Sequence, residues 1–145
     1  MPSVTISNLS LQNDGPILEV HFCIPQQLEQ QYVAQGTPIP APVIVKSLID
    51  TGCFSCIIQD GIPQKLGLVP IGSTTITTPS SQAHNYYAYF MRMIIPTHNN
   101  LSYEGVFIAA PLQGQNIECL MGRDLLANGI LIYLGNANQF TPSLL

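Results

Sequence analysis

Polar and apolar residues alternate along most of this chain, in short runs that glycine and proline separate. A period of two predicts β-strands with one buried face, because successive side chains of a strand point to opposite sides. An all-β or mostly β fold, with one or two short helices, follows from this pattern. We predict strands at residues 4–11, 17–23, 43–49, 57–58, 69–71, 74–78, 86–95, 105–110, 117–122, 130–133 and 139–145.

Three pairs of these strands are predicted to form hairpins. The turn sequence Asn-Asp-Gly-Pro at 13–16 joins the first two strands. Residues 74–93 form a long hairpin with a polar tip at 79–85, and residues 130–145 form a closing hairpin. The long hairpin is either an ordinary surface element or a mobile flap over a cleft.

Helical patterns are short. Residues 26–35 place Leu28, Tyr32 and Val33 on one face, with Pro25 before them and Gly36 as a left-handed cap, although a polar surface loop is the alternative. A second helix is predicted from Gly122 to residue 128, ended by a left-handed glycine at 129. Residues 53–58 are predicted to continue as a strand.

Composition narrows the functional classes. The 145 residues include 46% hydrophobic and 8% charged positions, which fits a single folded domain over residues 1–145 and argues against disorder. Four Lys or Arg residues are too few to follow a phosphate backbone, so nucleic acid is not an expected partner. No apolar run approaches the roughly 18 residues of a membrane span, and the N-terminus lacks the pattern of a signal peptide. We therefore expect a cytoplasmic protein with no membrane partner.

Asp50 is the most informative charged residue. It directly follows the apolar, β-branched strand 43–49 and is followed by Thr51 and Gly52. A carboxylate beside a buried strand costs several kcal/mol unless hydrogen bonds or a shared proton offset the cost. The tripeptide alone is a weak signal, because Asp-Thr-Gly is also an ordinary turn at the end of a strand.

The four cysteines leave three interpretations open. Cys53 and Cys56 form a Cys-x-x-Cys pair, His21 and Cys23 lie upstream, and Cys119 lies far downstream. Buried core thiols are the favoured interpretation, because free cysteine is among the most buried residue types. A zinc site or a redox dithiol is the alternative.

A second segment shares the design of the Asp50 segment. Residues 48–52 (Leu-Ile-Asp-Thr-Gly) and 119–126 (Cys-Leu-Met-Gly-Arg-Asp-Leu-Leu) are both apolar strands that enter a glycine turn. These motifs, in this order, resemble the retropepsin-like (retroviral-type) aspartic peptidases, and more closely their bacterial homologues. The resemblance extends from Ile17 to the C-terminus, where 139–143 (Gln-Phe-Thr-Pro-Ser) is similar to the family's last strand.

The resemblance implies a retropepsin-like acid protease half-barrel that is homodimeric and hydrolyses peptide bonds without a cofactor or metal. This chain has only one Asp-Thr/Ser-Gly, so a pair of catalytic aspartates would need two copies. Its expected partners are a second copy and a peptide or protein substrate. Carried over by position, Asp50 would be catalytic, and Thr51, Gly52, Gly122, Arg123 and Asp124 would support its loop. Substrate would contact Gly52, Cys53, Ser80, Ser81, Gln82, Ala83, His84, Tyr86 and Tyr87.

Several positions depart from the family pattern. Cys53 replaces a usual Ala or Ser, and Phe54 and Ser55 stand where an acidic partner of Arg123 is common. Pro142 removes a backbone donor from the last strand, which weakens a terminal sheet between subunits. These departures keep a second hypothesis open, a catalytically inactive binding or dimerisation module of the same fold. For Arg123 and Asp124, the alternative is that they are simply the charged end of a surface helix.

Overall fold

The computed structural model describes residues 1–76, 83–112 and 116–144. Within these ranges the chain forms ten strands, four short helices and two 3₁₀ turns, which confirms the predicted mostly β fold. The elements are β1 (Ile6–Ser7), α1 (Leu11–Asp14), β2 (Ile17–Cys23), α2 (Gln26–Gln35), β3 (Val43–Ile49), β4 (Ile57–Gln59), α3 (Ile62–Lys65), β5 (Gly72–Ile76), β6 (His84–Ile95), β7 (Leu101–Ala110), β8 (Cys119–Met121), α4 (Arg123–Leu126), β9 (Ile130–Leu134) and β10 (Gln139–Ser143), with 3₁₀ turns at Pro96–His98 and Gly135–Ala137.

The larger sheet has seven strands in the order β2-β3-β8-β4-β7-β6-β5. Strand β2 also pairs with β6, so part of the sheet closes on itself. Two neighbouring pairs are parallel, β3 with β8 and β4 with β7, while β8 and β4 are antiparallel. The short strand β8 therefore lies between β3 and β4, which flank the Asp50 loop on both sides in the sequence.

The smaller sheet has three antiparallel strands in the order β1-β10-β9. The predicted closing hairpin is confirmed as β9 and β10, with Thr141 opposite Ile132. Strand β1 pairs with the other edge of β10, where Ile6 lies opposite Phe140.

The predicted N-terminal hairpin is wrong. Residues 11–14 form the helical turn α1, in which Asp14 N and Gly15 N donate to the carbonyls of Ser10 and Leu11. Leu11 is completely buried, so this turn places an apolar side chain in the core. Gly15, with φ of 75°, ends the turn and directs the chain into β2 rather than back along β1.

Helix α2 is confirmed, and its left-handed cap at Gly36 has φ of 69°. Leu28 and Tyr32 pack against the core, but Val33 is 66% exposed, so the predicted apolar face is narrower than expected. Two other predicted elements are too long. Helix α4 ends at Leu126 rather than at residue 128, and the φ angle at residue 129 is not positive. The predicted strand at 53–58 is shorter as well, because residues 53–56 form turns and bends and β4 starts only at Ile57.

The core lies between the strands of the larger sheet and continues to the smaller one. Phe22 and Phe107 meet edge to face at 5.2 Å, and Phe140 joins the same buried cluster from β10. His98 is a buried polar residue whose Nε2 donates to the Pro142 carbonyl at 2.9 Å. Among the described helices, none has the length and apolar character required to cross a membrane.

Candidate active site

Asp50 is placed by β3, whose register with β8 brings Ile49 opposite Met121. The buried face of this strand carries Val45, Ser47 and Ile49, and the strand ends at Ile49, directly before Asp50. The Asp50 backbone N–H donates to the Met121 carbonyl at 2.9 Å. This long-range bond fixes the start of the loop, and the Asp50 side chain is half-buried there.

The loop also holds itself through short-range hydrogen bonds. Gly52 N donates to Asp50 Oδ1 at 2.9 Å, and Cys53 N donates to the Asp50 carbonyl at 3.2 Å. A Cβ on residue 52 would lie 3.1 Å from Asp50 Oδ1, a closer approach than most Cβ contacts tolerate. Glycine at this position therefore lets the backbone orient one carboxylate oxygen.

Residues 122–124, which we call the support segment, pack under the same loop. The backbone N–H groups of Arg123 and Asp124 donate to the carbonyls of Cys53 and Phe54 at 2.8 and 3.2 Å. A Cβ on Gly122 would lie 2.5 Å from the carbonyl carbon of Ser55. Only glycine allows the two backbone segments to approach this closely.

The side chains of the support segment contact the loop as well. Arg123 Nη1 donates to the Thr51 carbonyl at 2.8 Å, and its guanidinium lies 6.0 Å from the centre of the Phe54 ring. The Asp124 carboxylate accepts from the Cys56 backbone N–H at 3.0 and 3.1 Å and from the Cys56 thiol at 3.1 Å. These contacts disfavour the alternative that both residues are merely the charged end of a surface helix. Within the described ranges Arg123 forms no ion pair, and its guanidinium donates to the Thr51 carbonyl instead.

The cysteines are free thiols. Burial raises the pKa of Cys119 to about 12 and also raises the pKa of Cys56. The pKa of Cys53 is also raised, first by burial and then by the negative charge of Asp50, while its Sγ donates to the Ser55 carbonyl at 3.0 Å. In the part of the chain that the structure describes, no three His, Cys, Asp or Glu side chains are placed to hold a metal ion.

A cleft of about 320 Å³ opens between the loop and the β5 strand. No charged side chain is among the residues that line it, which are Cys53, Phe54, Ser55, Ile57, Thr74, Thr75, Ile76 and Ile108. Only Cys53 of this set is a site residue that the sequence predicts. The alternation of polar and apolar residues in β5 and β7 indicates which side chains lie on the same face of each strand. It does not indicate that this face lies next to the Asp50 loop, so the sequence could not identify the cleft. A second cavity of about 420 Å³ does not include Asp50 in its lining, which is formed by Asn13, Asp14, Ile17, Leu48, Asn116 and Ile117.

The long hairpin is formed by β5 and β6, with Ile76 opposite His84. Its predicted tip is shorter than expected at one end, because His84 already belongs to β6. Ala83 and His84 are exposed, Tyr86 is half-exposed and Tyr87 is 62% exposed. Ser80, Ser81 and Gln82 lie outside the described residues. Contact of all these residues with a substrate stays a prediction.

The arrangement of these elements is similar to that of a solved structure, a retropepsin-like aspartic protease from Rickettsia conorii. The TM-score is 0.57 at 14% sequence identity, over 98% of this chain and 90% of that one. The fold is retropepsin-like. At this identity the likeness shows the retropepsin-like fold alone, and neither a family model nor a curated protein matches the sequence.

Proposed function

We propose that this chain is an aspartic endopeptidase that acts as a homodimer, with Asp50 of each copy forming the catalytic pair. The observation that carries this proposal is the Asp50 loop. A half-buried carboxylate follows a buried strand, and the loop is fixed by Gly52 on one side and by the support segment on the other. An uncharged cleft, suited to an extended peptide, lies directly beside it.

The chemistry requires two carboxylates that share one proton. Like charges a few ångström apart cannot both ionise easily, so the pair titrates as a coupled unit. One carboxylate then takes a proton from a bound water, which attacks the peptide carbonyl carbon, while the other donates a proton toward the carbonyl oxygen. Thr51 would join the two loops across the dimer axis, and Gly52 would offer its backbone to the substrate.

A second carboxylate for this chemistry has no source in the same loop. The Asp124 carboxylate already accepts hydrogen bonds from the backbone N–H and the thiol of Cys56. The Asp14 carboxylate accepts a hydrogen bond from Asn8 at 3.0 Å. Asp60 lies in an exposed turn after β4. A second copy of Asp50 is therefore the partner that the proposal requires. The hairpin of β5 and β6 would close over the bound peptide as a flap.

The test is cleavage of a mixed peptide library between about pH 4 and pH 7, a range in which aspartic dyads are active. Wild type is compared with Asp50→Asn, which keeps an oxygen able to accept from Gly52 N. Asp60→Asn is the matched control, because it removes one exposed carboxylate away from the loop. We expect wild type and Asp60→Asn to cleave peptides, and we expect pepstatin to inhibit both. Asp50→Asn should cleave no peptide. Equal cleavage by Asp50→Asn would refute the catalytic role.

A binding module without turnover is the second candidate, and one observation favours it. Phe54 is 78% exposed beside the loop, where it offers a large apolar contact surface that no chemistry requires. Peptide binding by wild type and by Asp50→Asn with equal affinity, from a dimeric protein that cleaves nothing, would select this candidate.

A further inference from the structure

The rim of the cleft beside the Asp50 loop carries one large exposed side chain, Phe54, which is 78% exposed. No charged side chain is among the described residues that line the cleft. A charged group that selects between substrates would therefore have to lie just outside the lining, next to Phe54.

The Arg123 guanidinium occupies that position. It lies 6.0 Å from the centre of the Phe54 ring, and its Nη1 donates to the Thr51 carbonyl at 2.8 Å. Burial and the negative charge of Asp50 raise the pKa of Cys53, whereas the positive charge of Arg123 lowers it. The guanidinium is therefore near enough to act on a residue of the cleft lining, although Arg123 itself is exposed.

This guanidinium has hydrogen-bonding capacity left over. A guanidinium carries five N–H donors, and in the described part of the chain one of them, on Nη1, binds a protein group. All eight Asp and Glu side chains belong to the described residues, and none of them forms an ion pair with Arg123. The neighbouring Asp124 carboxylate instead binds the backbone N–H and the thiol of Cys56. An exposed guanidinium with unused donors is suited to bind a carboxylate from another molecule.

The guanidinium is close enough to Asp50 to meet a peptide that is bound for cleavage. Thr51 follows Asp50 directly in the chain. Standard backbone dimensions and the 2.8 Å bond to the Thr51 carbonyl put Arg123 Nη1 at most roughly 9 Å from the Asp50 Cα. An extended peptide covers that distance in about three residues. A substrate side chain within about three positions of the cleaved bond can therefore reach Arg123.

We propose that Arg123 binds an acidic side chain of the substrate, so that the enzyme prefers peptides with Asp or Glu within about three positions of the cleaved bond. This inference rests on the proposed function, because it names the substrate class of the same site. The guanidinium pairs with the substrate carboxylate, and the exposed Phe54 ring covers the methylene groups of that side chain. The proton that the two Asp50 carboxylates share removes one of their negative charges, which limits the repulsion of an acidic peptide.

The first test is peptide binding to Asp50→Asn, a variant that the proposed mechanism leaves without turnover, measured by fluorescence anisotropy. The probes are labelled alanine peptides with a central Leu-Phe bond, in which one flanking residue at a time is either Glu or Gln. At one or more flanking positions we expect the Glu peptide to bind about fivefold more tightly than the Gln peptide, the upper range for an exposed ion pair. Added salt should reduce this preference. A Glu peptide that binds no better than its Gln counterpart at any flanking position overturns the proposal.

Substitutions of Arg123 in the same Asp50→Asn background identify the group that causes the preference. Arg123→Gln should abolish it, and Arg123→Lys should retain part of it, because the positive charge remains. Lys65→Gln is the matched control, since it removes one exposed positive charge from α3 and should leave the preference unchanged. If Arg123→Gln weakens binding of the Glu and Gln peptides by the same factor, Arg123 only holds the loop and the proposal is wrong.

The second test leaves Arg123 in place. Phe54→Asp adds a carboxylate that can pair with the Arg123 guanidinium from within the chain, so it should remove the preference for Glu peptides. Phe54→Asn is the matched control of the same shape without the charge, and it should keep the preference while binding both peptides more weakly. Loss of the preference in both variants, or in neither, would contradict the proposed pairing.

The outcomes separate this inference from the proposed function. A preference for Glu peptides in a protein whose wild type cleaves nothing would refute the proposed function only. Cleavage of the Glu and Gln peptides by wild type with equal kcat/KM would refute this inference only.

Discussion

Replacing Gly122 by alanine is the sharpest test of how the Asp50 loop is held. The added Cβ would lie 2.5 Å from the carbonyl carbon of Ser55, 2.6 Å from its oxygen and 3.0 Å from the Cys53 oxygen. All three atoms belong to the backbone, so no side-chain rotation relieves the contact. The φ of Gly122 is −88°, which alanine adopts freely, so the effect is purely one of space.

The magnitude follows from these contacts. Carbon atoms normally approach to about 3.5 Å, so the loop must move by about 1 Å. Overpacking of this kind costs about 1–3 kcal/mol. The same movement stretches the bond from Arg123 N to the Cys53 carbonyl, now 2.8 Å, and a weakened hydrogen bond costs about 1 kcal/mol. We expect Gly122→Ala to lower the free energy of unfolding by about 3 kcal/mol and the melting temperature by roughly 10 °C.

Denaturant unfolding of Gly122→Ala beside Gly72→Ala measures this loss. A Cβ added at Gly72 would meet no atom within 4 Å, and the φ of Gly72 is not positive. Its replacement should therefore leave the free energy of unfolding unchanged or raise it by up to about 1 kcal/mol. A loss below about 1 kcal/mol for Gly122→Ala would show that the loop yields easily and would contradict a rigid Asp50 loop.

Three further predictions concern other contacts. Arg123→Ala should change the free energy of unfolding by no more than about 1 kcal/mol, because the bond from Arg123 to the Thr51 carbonyl is exposed. The same variant should cleave peptides about tenfold more slowly than wild type, and equal cleavage would contradict this prediction. His98→Phe should cost about 1 kcal/mol, because it removes the 2.9 Å bond to the Pro142 carbonyl and leaves only the longer bond from Val4 N at 3.4 Å; a loss near zero in denaturant unfolding would refute the reasoning. Because burial raises the pKa of Cys119 from 9.0 to about 12, the unfolded chain loses its thiol proton first as pH rises. This thiol alone should lower stability by about 1.4 kcal/mol per pH unit above about pH 9, and Cys119→Ala should lack that contribution; identical slopes for wild type and Cys119→Ala would exclude this cause.

Local patterns predicted local elements well. The strand before Asp50 was visible as a short apolar, β-branched run, and the hairpin of β5 and β6 and the closing hairpin were visible as short strand patterns between turn residues. Helix α2 was visible through Gly36, whose positive φ supplies the expected cap. The motif at 119–126 placed Arg123 and Asp124 near the Asp50 loop only through the family resemblance, because nothing in the local sequence indicates the parallel pairing of β3 with β8.

The errors share a physical cause, which is that alternation identifies a strand but not its partner. Strand β1 pairs with β10 at the far end of the chain, and the turn at 13–16 offered a nearer partner that the structure does not use. Leu11 is buried in the core as the first residue of a helical turn, where the alternation had predicted the end of a strand. The cleft residues were missed for the same reason, since Ile57, Ile76 and Ile108 meet only after the four strands β4, β7, β6 and β5 have paired.

The support of the Asp50 loop by β8 and the support segment also determines when the site forms. A growing chain that ended before Cys119 would carry the whole Asp-Thr-Gly sequence, but none of the groups at Met121, Arg123 and Asp124 that bind the loop. Closing so long a stretch of chain is entropically costly and slow compared with local pairing. We therefore expect the ordered loop to be a late product of folding, and a partly synthesised chain to be unable to hold its Asp50 carboxylate in place.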